Sequence, residues 1–152
     1  MMTLTEKQER LAEFKSQCRS QGMKITPQRL AIYEGLLNSE DHPCAERLFQ
    51  RLRPDHPNIS LDTVNRTLLT LSELGLARVV EGTGEAKRFD SNFEDHQHFR
   101  CVKCKRIIDF HHAPFDNVPV PSNLSSAFTV LRKTVYFEGI CDRCQAPDAD
   151  KP

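Results

Sequence analysis

Two pairs of cysteines, each with two residues between its members, constrain this chain more than any other feature. The first pair is Cys101 with Cys104, and the second is Cys141 with Cys144. Two intervening residues let both sulfurs of a pair turn onto one cation, and a second pair completes a tetrahedral thiolate site for zinc. Such a closed site has no open coordination position, so it stabilises a fold rather than catalysing a reaction. The spacing predicts structural zinc on all four cysteines.

Disulfide bonds or a redox-active dithiol are the alternatives for these cysteines. The first residues of the chain run directly into charged side chains, without the apolar segment of a signal peptide, and no long apolar stretch follows. We therefore expect a soluble, cytoplasmic protein with no membrane partner. Thiols stay reduced in that compartment, where paired cysteine motifs of this kind usually bind metal.

Length and charge narrow the class of protein. A chain of 152 residues corresponds to about one ordinary domain or to two small ones. The 21 basic and 21 acidic residues balance, and residues 1–90 alone hold 13 of each. A globally basic nucleic-acid-binding domain is thereby excluded. Binding to nucleic acid would require a local basic face and a suitable fold.

Helical periodicity dominates the first part of the chain. Apolar residues at helical spacing predict a first helix over 4–21. Thr26 is a capping residue, and Pro27 after it suits the first position of a second helix. A third helix follows Pro43 and ends before Pro54.

The segment after Ser60 predicts a fourth helix with a polar outer face. Ser60 suits the N-cap, and apolar residues follow at spacings of three, four and three, namely Leu61, Val64, Leu68 and Leu71. The residues that then face outward lie where a recognition helix carries its base-reading side chains: Asp62, Thr63, Asn65 and Arg66. An ordinary amphipathic helix with a solvated face is the alternative.

A predicted hairpin directly after this helix favours DNA binding. Segments 77–80 and 86–89 flank a glycine-containing turn. Three helices closed by a hairpin suggest a winged helix-turn-helix. Asn65 suits an adenine edge and Arg66 a guanine edge. Four basic residues are candidates for phosphate contacts, although each alone is also typical of a solvated surface: Lys15, Arg19, Lys24 and Arg29.

A second group of potential metal ligands contains no thiol. His96 and His98 alternate on a predicted strand, so both imidazoles point to the same side. Asp90 precedes them, and Asp109 lies on the strand that would fold back beside them after the first cysteine pair. Imidazole and carboxylate donors together favour Fe(II), Mn(II) or Zn(II). A polar linker with exposed histidines is the alternative.

Motifs across nearly the whole chain resemble the ferric uptake regulator (Fur) family. They are Thr-Pro-Gln-Arg at 26–29, His42-Pro43 before Ala45-Glu46, the segment 59–68, Arg-Phe-Asp at 88–90, His-Gln-His-Phe at 96–99 and both cysteine pairs. The resemblance implies an α+β protein, with a winged helix-turn-helix DNA-binding domain and hinge at 1–90 and a small α/β dimerisation domain with the four-cysteine zinc site at 91–152. It also implies a homodimeric repressor of double-stranded operator DNA, with neither enzymatic activity nor a small-molecule substrate.

The resemblance further implies which residues bind the regulatory metal at the hinge. They are His42, Asp90, His96, His98 and Asp109. Taken alone, His42 is a histidine before a helix, more typical of a surface residue than of a ligand. In the family this position reaches across from the DNA-binding domain. An ion that binds only the closed conformation shifts the population toward it.

Within the family, the chain looks most like the peroxide-sensing repressors (PerR). Iron-sensing members usually carry glutamate where this chain has Asp109, Gln97 interrupts a frequent polyhistidine run, and 132–134 contains no histidine for a further site. The resemblance implies that Fe(II) reacts with hydrogen peroxide, that His42 or His96 is oxidised, and that DNA is then released. Mn(II) would support repression without that chemistry. An iron- or zinc-responsive repressor of metal uptake is the alternative.

Two residues depart from the family pattern. Asn65 stands where tyrosine is common, so an amide that reads adenine replaces a ring that contacts thymine methyls. Cys44 stands where serine or threonine often caps a helix, and we interpret it as a small hydrophobe rather than a reactive thiol. More remote alternatives are a metallohydrolase, for which no sequence signature is present, and a zinc-ribbon interaction module, which leaves the winged helix without a purpose.

Overall fold

The computed structural model describes residues 2–81, 84 and 86–145. The chain divides into two compact units, Met1–Asn92 and Phe93–Pro152. Among the described residues, no helix combines the length and apolar character that crossing a membrane requires.

Four helices build most of the first unit: α1 Leu4–Ser20, α2 Pro27–Leu37, α3 Ala45–Leu52 and α4 Leu61–Glu73. Three of them begin at hydroxyl residues whose side chains accept a backbone N–H of the first turn, as N-caps do: Thr3, Thr26 and Ser60. The caps at Thr26 and Ser60 are those that the sequence predicts.

The apolar stripes of these helices meet in one core. Its fully buried side chains include Phe14, Tyr33, Leu48 and Leu68, one from each helix. The rings of Phe14 and Tyr33 lie 5.2 Å apart between centroids. Helices α2 and α3 approach closely at Gly35, where a Cβ atom would lie 3.0 Å from Leu48 Cδ1. The close approach of α2 to α3 therefore leaves little room for a side chain at position 35.

A short hairpin follows α4, with strand β1 at Arg78–Val79 paired antiparallel to β2 at Phe89–Asp90. The sequence predicts the hairpin but places its second strand at 86–89, whereas β2 begins at Phe89 and includes Asp90. Tertiary contacts explain the shift, since the N–H of Phe89 donates to the carbonyl of Pro43 at 3.1 Å. Three residues of the predicted turn, 82, 83 and 85, lie outside the described residues.

The second unit is a three-stranded sheet in the order β4-β3-β5, with β3 at Gln97–Cys101, β4 at Ile107–Phe110 and β5 at Tyr136–Gly139. Strand β3 pairs antiparallel with β4 and parallel with β5. Short helical segments accompany the sheet: a 3-10 helix at Ala113–Phe115, α5 at Ser122–Ser125 and α6 at Asp142–Gln145.

The described part of the second unit has a small apolar core. Its buried hydrophobic residues are Cys101, Ile107 and Cys141, two of which belong to the cysteine pairs. Small units with little buried surface commonly depend on metal or disulfide cross-links.

Candidate metal centres

The four paired cysteines converge at one end of the second sheet. Cys101 ends β3, and Lys105 takes a left-handed backbone conformation, with φ 63°, as the chain turns into β4. Because β5 runs parallel to β3 and pairs Gly139 with Cys101, the second cysteine pair emerges beside the first. The sheet therefore carries the two pairs to the same place.

The sulfur geometry fits one tetrahedral zinc ion. The four sulfurs all lie within 4.8 Å of one another, and the Sγ atoms of Cys104 and Cys141 are 3.6 Å apart. Zinc–sulfur bonds of about 2.3 Å in a tetrahedron place the sulfurs about 3.8 Å apart. All six cysteines of the chain carry free thiols.

The surroundings of these sulfurs favour at least one thiolate. Backbone N–H groups, first that of Cys141 and then that of Cys104, lower the pKa of Cys101 below the ordinary thiol value; the Cys141 nitrogen lies 3.4 Å from the Cys101 sulfur. Desolvation raises the pKa of Cys144, and the neighbouring cysteines add to that effect. Four thiolates at this spacing would require a cation between them, and a zinc ion suits four thiolate ligands.

The thiol-free ligands of the second unit form a triad on the two antiparallel strands. His98 on β3 is paired in register with Asp109 on β4, and His96 precedes β3 by one residue. The Nε2 atoms of His96 and His98 are 3.1 Å apart. Asp109 Oδ1 lies 3.3 Å from Nε2 of His98 and 3.8 Å from Nε2 of His96. The two histidines, one just before β3 and one within it, therefore bring their imidazoles together.

Two of these separations, 3.1 Å and 3.3 Å, are those of donors on one ion, and the third, 3.8 Å, is somewhat longer. Metal–donor bonds of about 2.1 Å set neighbouring donors about 3.0 Å apart at right angles and about 3.4 Å apart at tetrahedral angles. His96 Nδ1 lies 2.7 Å from the carbonyl oxygen of Glu94, so an Nδ1–H donated there leaves Nε2 with its lone pair for a metal. Three protein donors leave further coordination positions available.

The first unit contributes a second pair of predicted ligands. His42, in the loop between α2 and α3, is only 4 % exposed, and Asp90 on β2 is also buried. His42 Nε2 lies 3.7 Å from Asp90 Oδ2, while Asp90 Oδ1 accepts the N–H of Asn92 at 2.8 Å. The five predicted regulatory ligands therefore occur as a pair in the first unit and a triad in the second.

Comparison with known proteins identifies the family. The model of the Ferric uptake regulator family matches residues 20–137, which include most of both units. The chain belongs to this family. The Peroxide-responsive repressor PerR of Staphylococcus epidermidis is 34 % identical over 135 residues, which are 89 % of this chain and 90 % of that protein.

Solved structures of the Fur family share the fold. The ferric uptake regulator Fur of Helicobacter pylori superposes with a TM-score of 0.80 at 22 % identity, over 97 % of this chain and 99 % of that chain. PerR from Streptococcus pyogenes gives a TM-score of 0.51 at 26 % identity, over 89 % and 92 % of the two chains. The chain therefore has the Fur fold, an N-terminal DNA-binding domain followed by an α/β dimerisation domain.

In this Fur-family chain, α4 presents the predicted base-reading residues unequally. Asn65 and Arg66 are exposed, whereas Thr63 is half-buried and its hydroxyl lies 2.9 Å from that of the capping Ser60. Arg66 is ion-paired through Nε to Asp62 Oδ2 at 2.9 Å, and the Arg66 side chain is 78 % exposed. Asp62 therefore contacts the guanidinium of Arg66 at its Nε edge.

The predicted phosphate-binding residues also differ from one another. Lys15 and Arg19 on α1 and Lys24 after it are exposed. Arg29 is half-buried, and its Nη1 donates to the carbonyl of Lys24 at 2.7 Å. Arg29 thus also has a structural role at the start of α2.

Three polar residues near the candidate ligands make contacts that the sequence did not predict. Arg88 is buried and donates to backbone carbonyls of the loop that carries His42. Asp41 binds Arg51 and Arg47, and these contacts, chiefly that with Arg51, hold its pKa well below its usual range. The buried amide of Gln97 joins β3 to Asp116, at 2.8 Å. Arg88 and Gln97 each lie within a motif of the sequence, Arg-Phe-Asp and His-Gln-His-Phe respectively, but neither motif specified these contacts.

Proposed function

We propose that this chain is a metal-dependent homodimeric transcriptional repressor that senses peroxide through its regulatory metal site. Structural zinc would occupy the four cysteines, and Fe(II) or Mn(II) the regulatory site. The observation that carries the proposal is the triad of His96, His98 and Asp109, a thiol-free donor set on the same sheet as a four-thiolate site. Donor chemistry separates the two sites, since thiolates favour zinc and mixed nitrogen and oxygen donors suit Fe(II) and Mn(II).

The proposed regulatory site joins the triad to His42 and Asp90 of the first unit. An ion bound by ligands from both units stabilises only conformations in which the units are correctly oriented for DNA. Such an ion shifts the population toward the binding-competent dimer in proportion to its differential affinity. The family membership and the PerR relatives support this mechanism.

The proposed reaction with peroxide uses the ligand histidines as the oxidised groups. One oxygen atom of hydrogen peroxide would enter a ring C–H bond of His42 or His96, the imidazole would lose two electrons, and the second oxygen would leave as water. Fe(II) held by these ligands would supply the redox chemistry that cleaves the O–O bond. The hydrogen bond between His96 and the Glu94 carbonyl would hold that ring with its Nε2 available to a bound ion. Oxidation removes a donor and lowers the affinity of the site.

A second copy of the chain is the proposed partner of the second unit. Large apolar side chains of this unit are exposed, with Leu131 at 93 % and Phe128 at 66 %, and Phe137 on the edge strand β5 is exposed as well. Large apolar side chains exposed in one small unit support the proposal that a partner covers them. Dimerisation also fits two-fold symmetric binding to an operator with two half-sites.

Peroxide should release the Fe(II)-loaded dimer from its operator and leave the Mn(II)-loaded dimer bound. The test loads the zinc-containing dimer anaerobically with either metal, adds peroxide, and follows operator binding by fluorescence anisotropy. Peptide mass spectrometry should then show one added oxygen on the His42 or His96 peptide of the iron-loaded sample alone. Unchanged binding and unmodified peptides after peroxide would instead favour a plain sensor of metal availability.

Arg66 should determine the operator sequence, because a guanidinium can bond two acceptors of a guanine edge while its Nε contacts Asp62. Arg66→Ala should lose about 1–3 kcal/mol of discrimination at one G·C position. Lys15→Ala is the matched comparison. It should weaken binding to all DNA sequences alike and reduce the slope of log affinity against log salt concentration by about 1. Operator titrations at several salt concentrations, with each base pair substituted, distinguish the two. Equal losses on every sequence for Arg66→Ala contradict base reading by this residue.

A further inference from the structure

His42 has an unusual backbone for a residue with a side chain. Its φ is 50°, in the left-handed region that residues with a Cβ atom adopt infrequently unless their surroundings impose it. The residue lies in the loop between the end of α2 at Leu37 and the start of α3 at Ala45. Contacts from outside this loop must hold the conformation, since the Cβ atom of His42 disfavours a positive φ.

Hydrogen bonds from the hairpin hold the carbonyl groups of three consecutive residues in this loop. Arg88 donates through Nη2 to the carbonyl of Asp41 and through Nε to the carbonyl of His42. The N–H of Phe89 donates to the carbonyl of Pro43 at 3.1 Å. The next residue, Asp90, brings its carboxylate to 3.7 Å from His42 Nε2. A single three-residue segment therefore fixes the backbone of His42 and supplies the acidic group beside its imidazole.

The side chain of Arg88 suits this task better than lysine would. Its planar guanidinium donates from nitrogens at fixed separation, which matches two carbonyls on adjacent residues. The residue is 9 % exposed, and hydrogen bonds from a charged donor are stronger than neutral ones. The carboxylate of Asp41 also accepts hydrogen bonds from Arg51 and Arg47. The loop is therefore restrained through a side chain as well as through its backbone carbonyls.

We propose that Arg88 is a positioning residue of the regulatory metal site, because its guanidinium holds His42 in the left-handed conformation that sets the imidazole beside Asp90. This inference rests on the proposed function in one respect, namely that His42 is a metal ligand. Arg88 itself binds no metal. It acts by preorganising a ligand, so that binding does not have to order the loop.

The test measures Co(II) binding to the zinc-loaded dimer, with visible absorption reporting the geometry of the bound ion. Arg88→Met removes the donors and keeps the length of the side chain. We expect an affinity about 10- to 100-fold lower, as for other losses of groups that orient metal ligands, together with a changed Co(II) spectrum. Arg88→Lys should fall between Arg88→Met and the unaltered protein. Arg53→Met, on the exposed residue after α3, is the matched control and should bind Co(II) normally.

A double-mutant cycle with His42→Ala separates positioning from general damage. If Arg88 acts through His42, adding Arg88→Met to His42→Ala should cause no further loss of Co(II) affinity. An equal loss in both backgrounds, or no loss in either, overturns the proposal. A normal Co(II) affinity and spectrum in His42→Ala alone would overturn the ligand assignment in the proposed function as well.

The thermal unfolding of each variant is measured alongside its titration. The protein then has zinc on the cysteines and no metal at the regulatory site. If Arg88→Met does not fold, the same cycle is carried through with Arg88→Lys, which keeps the charge and one donor. A lysine variant with full affinity and an unchanged spectrum would then reject the requirement for the two-nitrogen contact.

Discussion

Replacing Cys101 with serine should remove the structural zinc and unfold the second unit. A serine hydroxyl does not deprotonate and bind zinc as a thiolate does. The described part of this unit buries few apolar side chains besides the cysteines. Structural zinc contributes about 10–16 kcal/mol of apparent binding free energy in small peptides, which is comparable to the whole stability of an ordinary domain, about 5–15 kcal/mol. Losing the ion should therefore abolish cooperative unfolding of the unit and dissociate the dimer.

Cys44→Ser is the matched control for the zinc prediction. Cys44 is the N-cap residue of α3, and its side chain makes no capping hydrogen bond. Serine is a favoured N-cap residue, so this variant should retain zinc and be as stable as the unaltered protein or more so. Metal analysis, circular dichroism melting curves and sedimentation velocity report the three properties. A Cys101→Ser protein that lacks zinc yet keeps its melting temperature and dimer would refute a structural role for the ion.

Local patterns predicted the elements that carry the candidate ligands. Helical spacing and capping residues located α2 and α4 because both signals depend on neighbouring residues only. The pairing of His98 with Asp109 could likewise be predicted, since the short turn that contains Cys101 and Cys104 makes the chain reverse between two strands. Asp62 and Arg66 are four residues apart on a helix, a spacing at which ion pairs form, so their contact could also have been predicted.

Contacts between distant segments were not accessible in the same way. The parallel pairing of β5 with β3 joins residues far apart in sequence, and no periodicity specifies which edge of the sheet β5 occupies. The hydrogen bonds from Arg88 to the carbonyls of Asp41 and His42 depend on the packing of the hairpin against the loop after α2. This packing also explains why β2 begins at Phe89. A buried arginine contradicts the usual preference of charged residues for the surface, so periodicity alone would assign Arg88 to solvent.

Asp109→Ala should abolish metal-activated operator binding while leaving the dimer folded. Asp109 is the most suitable ligand for this test because its side chain is 39 % exposed on β4, so alanine leaves no buried cavity. His42→Ala and His96→Ala should have the same effect on DNA binding, although both remove more buried side chains. Moving a two-state equilibrium from 1:99 to 99:1 requires about 10⁴-fold tighter binding to the favoured state. Loss of one donor from the triad should remove enough of that difference for saturating Mn(II) to leave operator affinity at the metal-free level.

His111→Ala is the control for the triad, because it removes a nearby exposed histidine that contacts Asp116 at 2.9 Å and belongs to neither candidate metal centre. This variant should show normal Mn(II)-dependent operator binding in the same anisotropy titration. Zinc content and sedimentation must match the unaltered protein in every variant, so that a loss of DNA binding reports the regulatory site rather than the thiolate site. Retention of the Mn(II) response by Asp109→Ala, His42→Ala and His96→Ala together would show that the regulatory ion binds elsewhere, since no site made from these ligands tolerates the loss of each in turn.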